Sequence, residues 1–429
     1  MKSIARVVGT TAALTLAVSS AGHAAPAPID PFLQHQLMLF GDILDVTKKQ
    51  YVRPPDDRQL MEGAIQGMLQ QGAPGATYLS PEDFQLMTGA GPAAALGSFG
   101  LQIFRDGHLV RVEGVLPNSP AENTGIHMND LLLSIDGRTV SGLSVQEVAH
   151  RLRGPVGSMV EITLQRDYGQ PFTVEAARER VAPVTFKFHM DGDVGVIEVK
   201  AIPQGEAAAA AVDGFVKAHP AMTGMILDLR GCHGGALDGA IVLVEEFVNG
   251  GPVVKVSGRD PKDYQVYNAR PKDVLKGKPL VVLIDQDTRS GGEIVAAALQ
   301  DRKRAKLVGL TSFGGGNIDT VIPLMGGKDG ALRLTTAFTY RPSGTPLQKV
   351  GVTPDSMVAQ SKADADKAMS GRGFFSEIDL TDAADAVGAP ARVRANAVDS
   401  PPAGFAGDYQ EARALEALKT ISGGVAKAN

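Results

Sequence analysis

KPLVVLIDQDTRSGGEIVAAALQD, residues 278–301, decides the architecture of this chain. Its first half holds an unbroken apolar run, Leu280–Ile284, of the kind found where both faces of a sheet are covered. Its second half, EIVAAAL from Glu293, reads as a helix. Ser290 lies between them at a strand-to-helix turn, where free N–H groups and the helix dipole favour negative charge. A serine there has two readings, a helix N-cap or a nucleophile.

Two further stretches repeat the pattern upstream. VGVIEVK (194–200) and MTGMILDLRG (222–231) are apolar strands, and helices near 205–218 and 236–249 supply crossovers. Residues 184–360 therefore predict an α/β core. Before it, residues 95–183 change character: FGLQIF, HLVRVEGV, DLLLSIDGRTV and MVEITLQR alternate with glycine turns. One amphipathic helix, VQEVAHRL, interrupts them, with Val145, Val148, Ala149 and Leu152 at helical spacing. Residues 25–94 read as helical: FLQHQLMLFGDILDVTKKQYV, a break at Pro54-Pro55, a second helix from Gln59, and a third capped by Ser80 with Pro81 at its first position. The tail, 361–429, is Ala-rich and includes a terminal helix at DYQEARALEALKTI. The fold class is thus α/β multidomain, with a helical N-terminal region, a β-rich module with helices, an α/β core and a helical tail.

The wording of these segments resembles the C-terminal processing (tail-specific) serine peptidases. SPAENTGI followed by NDLLLSIDGRTV and LRGPVG is similar to the PDZ domains of bacterial proteases, and Asn129 stands where glycine is usual there. DLRGCHGG, SGGEIVAAALQD, RAKLVG and PSGTPLQKVGVTPD follow in the family's order, over nearly all of the chain after residue 24. The resemblance implies Ser290 as nucleophile. It implies backbone donors for the oxyanion at Gly234, Gly235 and Gly291, although glycine in a tight turn serves structure equally well. It also implies a lysine base twenty-five residues after the serine. That count lands on Gly315, within SFGGGN, where the family pattern reads TFGKG. Asp319 stands where the family has a glutamine that orients the lysine, and so is expected to lack the partner it would have served. Neighbouring positions do not rescue the base, because residues 314–316 are all glycine.

His233 offers a substitute base, with Asp319 or Asp228 orienting it, against the plainer reading of a loop histidine. Asp228 and Arg230 read as residues that hold the loop. In the PDZ-like module, Ser98, Phe99, Gly100 and Leu101 form the loop expected to cradle a peptide carboxylate. Val145, Val148 and Leu152 are expected to line the side-chain pocket or to serve as core.

Composition narrows the classes. The chain has 429 residues, 44% hydrophobic and 21% charged, with a net charge of −5, and no long basic stretch to suggest nucleic acid. Cys232 is the single cysteine, so no internal disulfide forms, and the thiol is expected to be buried or reactive. No metal-ligand spacing is present, and neither metal nor cofactor is implied. Lys2 and Arg6, the apolar VVGTTAALTLAV and Gly22-His23-Ala24 make a signal peptide over residues 1–24, with cleavage before Ala25. No run reaches the ~18 apolar residues of a membrane span. The expected setting is periplasmic or secreted, with C-terminal or unfolded segments of exported proteins as partners and the terminal helices available for a homo-oligomer. Three functions stay open: a peptidase impaired by Gly315, an active serine endopeptidase using His233, and a non-catalytic scaffold or adaptor.

Overall fold

The structure, a computed structural model, describes residues 30–426 except 74, 89–95, 107–108, 117–118, 142, 144, 168, 181–184, 233–234, 361–374, 377–397, 403–404 and 406. The signal-peptide reading and both His233 and Gly234 therefore lie outside the described residues. The chain divides into two units, residues 1–65 and 66–429.

In the first unit α1 spans Pro31–Gln50, and α2 (Asp57–Gly72) begins after Pro54-Pro55. Asp30 caps α1 by accepting from the Phe32 N–H at 3.2 Å, Pro31 needs no donor partner, and Lys48 and Lys49 face the dipole at the last turn.

The second unit opens with a short strand, Thr77–Leu79, absent from the all-helical reading of this region; it pairs antiparallel with residues 331–333. α3 (Pro81–Thr88) follows, and Ser80 Oγ accepts from the Asp83 N–H at 3.1 Å, as its N-cap position predicts. The PDZ-like module contains β1 (Leu101–Asp106), β2 (Leu109–Val115), β3 (Leu131–Ile135), α4 (Val145–Leu152), β4 (Met159–Gln165) and β5 (Phe172–Ala177). β1 through β5 pair in chain order, all antiparallel. Phe99, Leu101, Ile103, Ile135, Val148, Leu152, Ile162 and Leu164 form its core. Asn129 has φ 69°, a left-handed backbone that Asn tolerates, which explains how it replaces glycine in that turn.

The α/β core runs β6 (Phe186–Asp191), β7 (Val194–Val199), α5 (Ala207–Ala218), β8 (Gly224–Asp228), α6 (Leu237–Glu245), β9 (Asn249–Ser257), β10 (Tyr264–Pro271), β11 (Leu280–Ile284), α7 (Gly291–Asp301), β12 (Lys306–Gly309), β13 (Asn317–Pro323), β14 (Ala331–Tyr340) and β15 (Ser356–Met357). The main sheet has the order β6-β7-β8-β11-β12-β15; β6 is antiparallel to β7 and the rest are parallel. Every residue of β8 and β11 is buried, which is why both read as unbroken apolar runs. On one face Leu227, Val282 and Ile284 pack with Val212 of α5, Leu243 and Phe247 of the α6 region, and Val295 and Leu299 of α7. On the other, Ile226, Val281 and Leu283 meet Tyr409, Ala414 and Leu418 of the terminal helix Tyr409–Ala426.

A second, antiparallel sheet was not expected from the strand–helix–strand pattern. It joins Thr77–Leu79, β14, β9 and β10, with β13 also on β14. Most residues of β10 and β13 are at least partly exposed, so their mixed polarity hides the strand period.

Candidate active site

Parallel strands deliver their loops to one edge of the sheet, so the loops after β8 and β11 come together. The Thr288 hydroxyl donates to the Leu229 carbonyl at 2.9 Å, and the Arg289 N–H donates to the Cys232 carbonyl at 3.0 Å. Asp285, at the end of β11, accepts from the N–H groups of Gly231 and Asp287, both at 3.0 Å, and so holds both loops with one carboxylate. Burial raises its pKa. Cys232 is fully buried here; a Cβ added at Gly292 would stand 3.3 Å from its sulfur and 3.2 Å from Thr288 Cγ2, a close approach that favours glycine.

Ser290 is the N-cap residue of α7 at φ 48°, ψ −112°. A non-glycine residue at positive φ stores of order 1–3 kcal/mol of strain, a cost that recurs at functional turns. The turn leaves the Gly291 N–H, at the first helical position, with no hydrogen bond among the described residues. Gly235 has φ 138° and lies against Ile202, where a Cβ would come within 2.8 Å of that residue's own Cβ.

The structure adds a residue that the sequence reading did not single out. Glu293, fully buried, faces four donors: Ser312 Oγ at 2.5 Å, Gly314 N–H at 2.7 Å, Gly315 N–H at 2.8 Å and Ser290 N–H at 3.1 Å. Burial pushes its carboxyl up to about 7 against these donors, each of which favours the ionised form. Its position three residues after Ser290 is the spacing of a capping box, and that signal was visible in the sequence. Ser312 in turn accepts from the Val352 N–H at 2.7 Å. The glycine loop is therefore fastened to the same carboxylate that caps the serine.

Gly315 is the member of the triplet with room for a side chain. A Cβ there would meet Phe313 Cδ1 at 3.3 Å and Glu293 Oε2 at 3.6 Å. At Gly316 it would fall 2.3 Å from the Gln348 N, and Gly314 holds φ 85°. Position 315 thus opens beside Glu293 and carries no side chain. The Phe313 ring packs under the Arg289 guanidinium at 4.2 Å, and Arg289 also pairs with Asp287 at 3.2 Å. This cation next to the serine was likewise missed; an arginine remains protonated and supplies charge without a proton acceptor.

Asp319, with no lysine at position 315 to serve, is held by other partners. It accepts from Thr335 Oγ1 at 2.6 Å and pairs with Arg333 at 3.1 Å, on β13 and β14. Asp228 is held by Arg230 at 2.6 Å, and Arg230 also reaches Asp408 at 2.7 Å. Burial would raise the Asp228 pKa, but Arg230 outweighs it and the net shift is downward. Both carboxylates proposed to orient His233 are therefore committed elsewhere.

In the PDZ-like module Ser98, Phe99, Gly100 and Leu101 are all buried. The Gly100 N–H donates to Ser98 Oγ at 3.0 Å, and Gly100 holds φ 91° against Ser119, so close that a Cβ would overlap it. Val148 and Leu152 of α4 are fully buried in the module core, and Val145 begins that helix.

These geometries define an α/β core that sets a serine at a strained strand-to-helix turn, with an attached PDZ-like module. The sequence matches peptidase family S41 over residues 193–358 and the PDZ domain over residues 111–166. It is 36% identical to the carboxy-terminal-processing protease of Bartonella bacilliformis over 331 residues, 76% of this chain and 75% of that one. It is 30% identical to the carboxy-terminal processing protease CtpA of Bacillus subtilis over 312 residues, 72% of this chain and 66% of that one. Among solved structures, the photosystem II D1 C-terminal processing protease matches with a TM-score of 0.53 and 26% identity, covering 73% of this chain and 85% of that one. The chain belongs to the carboxy-terminal-processing proteases of peptidase family S41. Among the described residues, no helix is long and apolar enough to cross a membrane.

Proposed function

We propose that this chain is an exported reader of protein C-termini whose Ser/Lys proteolysis is impaired. The observation that carries the reading is the bare Gly315: the family's base position faces Glu293 and holds no side chain able to accept the serine proton. A serine hydroxyl without a base is a weak nucleophile, and general-base assistance is typically worth ~10²–10⁴-fold. The carboxylate that caps Ser290 already serves four donors, and among the described residues no lysine or histidine side chain hydrogen-bonds to the serine.

The PDZ module supplies recognition. A strand, β1, with helix α4 in the same module suits a chain end captured by strand addition. Relatives named for carboxy-terminal processing support protein C-termini as the class bound, and the leader-like sequence of residues 1–24 supports export. Peptides with free apolar C-termini should bind the whole protein, lose affinity when amidated, and persist uncleaved over hours. Indifference to amidation would remove tail recognition from the account.

A further inference from the structure

The loop after β8 carries a buried cation, Arg230, whose partners come from both ends of the core. Its side chain is only 13% exposed. Within its own loop it is held by Asp228, which accepts from Nε at 2.9 Å and from Nη2 at 2.6 Å. Its remaining reach goes to the C-terminal segment. Nη2 lies 2.7 Å from an Asp408 carboxylate oxygen, and Nη1 donates to Gln410 Oε1 at 3.2 Å. Asp408 directly precedes the terminal helix Tyr409–Ala426, and Gln410, fully buried, stands in its first turn. Gln410 is fixed in turn, because its Nε2 donates to the Val358 carbonyl at 2.8 Å. Contacts of Ala414 and Leu418 with the main sheet account for the docking of this helix. They do not account for two polar groups at its start that converge on one guanidinium of a distant loop.

From Arg230 the contacts lead to the serine. The next residue, Gly231, donates its N–H to Asp285 at 3.0 Å, and the Cys232 carbonyl accepts from the Arg289 N–H at 3.0 Å. Ser290 follows Arg289 directly. We infer that Asp408 and Gln410 are positioning residues for the serine turn, acting through Arg230 on the loop after β8. A guanidinium taken out of water must have its donors met, so its place is set by where its acceptors stand. Asp228, two residues away, fixes the side chain to its own loop. Asp408 and Gln410 tie that side chain to a separate element, and so set where the loop lies. The inference stands apart from the proposal of impaired proteolysis, since it needs the loop to touch the serine turn and no particular base.

The test uses the full chain, with Cys232 as reporter. It is the only cysteine and is fully buried, so its reaction with dithionitrobenzoate under native conditions follows opening of the loop. Asp408→Asn, Gln410→Met and the double variant are compared with the wild type. Leu418→Ala is the control: it loosens the same helix about two turns further along, on the sheet. The double variant should react about tenfold or more faster than the wild type, with the single variants in between. Amide exchange should quicken over residues 229–232 and 289–291 together, while strand 280–284 stays protected. Leu418→Ala should lower the thermal midpoint and leave both readouts at the wild-type level. A folded double variant whose thiol reacts as slowly as the wild type overturns the inference. So does a Leu418→Ala protein that matches the double variant, or faster exchange at 229–232 that 289–291 does not follow. Should the double variant not fold, Asp408→Asn decides alone, being isosteric at a side chain 25% exposed: a faster thiol supports the inference and a wild-type rate overturns it.

Discussion

At the residue scale, the proposal turns on two neighbours. Gly315 bears no side chain, and Glu293 bears one that fastens the serine turn to the glycine loop. The carboxyl of Glu293 stands at about 7, above its ordinary value of 4.5, because burial outweighs its donors. Its contribution to folding stability is therefore full below about pH 4.5 and is lost as the pH rises through about 7. The thermal midpoint should fall between about pH 4.5 and pH 7, and Glu293→Gln should flatten that fall. An unchanged slope in the variant would assign the pH dependence to other groups. Ser290 and Gly315 were singled out by spacing within a recognised pattern. The partners of Glu293, Asp285 and Asp319 were not, because hydrogen bonds between loops distant in sequence leave no periodic trace.

At the scale of elements, legibility followed burial. β8 and β11, buried along their whole length, stood out as apolar runs, and α3 was marked by its Ser80-Pro81 cap. β10 and β13, largely exposed on the second sheet, lacked a clean alternation and escaped notice. The buried strands also set stability. Leu283, fully buried on the face that meets the terminal helix, should cost about 2–5 kcal/mol when changed to Ala. Denaturant unfolding of Leu283→Ala checks this; a loss below about 1 kcal/mol would mean that the terminal helix repacks into the space.

At the scale of the whole molecule, a PDZ module and an S41 peptidase core share one chain, and the proposal assigns recognition to the first and restraint to the second. Export belongs to the same account: N-terminal sequencing of protein from the soluble exported fraction should find a start near Ala25, whereas intact Met1 in cytoplasm would refute it. The restraint is the central claim, and turnover of a tail peptide by the wild type, Ser290→Ala, Gly315→Lys and Gly315→Lys/Asp319→Gln tests it most directly. Space at Gly315 admits a Cβ if Phe313 shifts by a few tenths of an ångström, and the side chain would start beside Glu293. The account predicts negligible cleavage by the wild type, no change in Ser290→Ala, and a rise of up to ~10²–10⁴-fold in a lysine variant. Brisk wild-type cleavage abolished by Ser290→Ala would contradict it, and abolition by His233→Ala as well would put the histidine in the lysine's place.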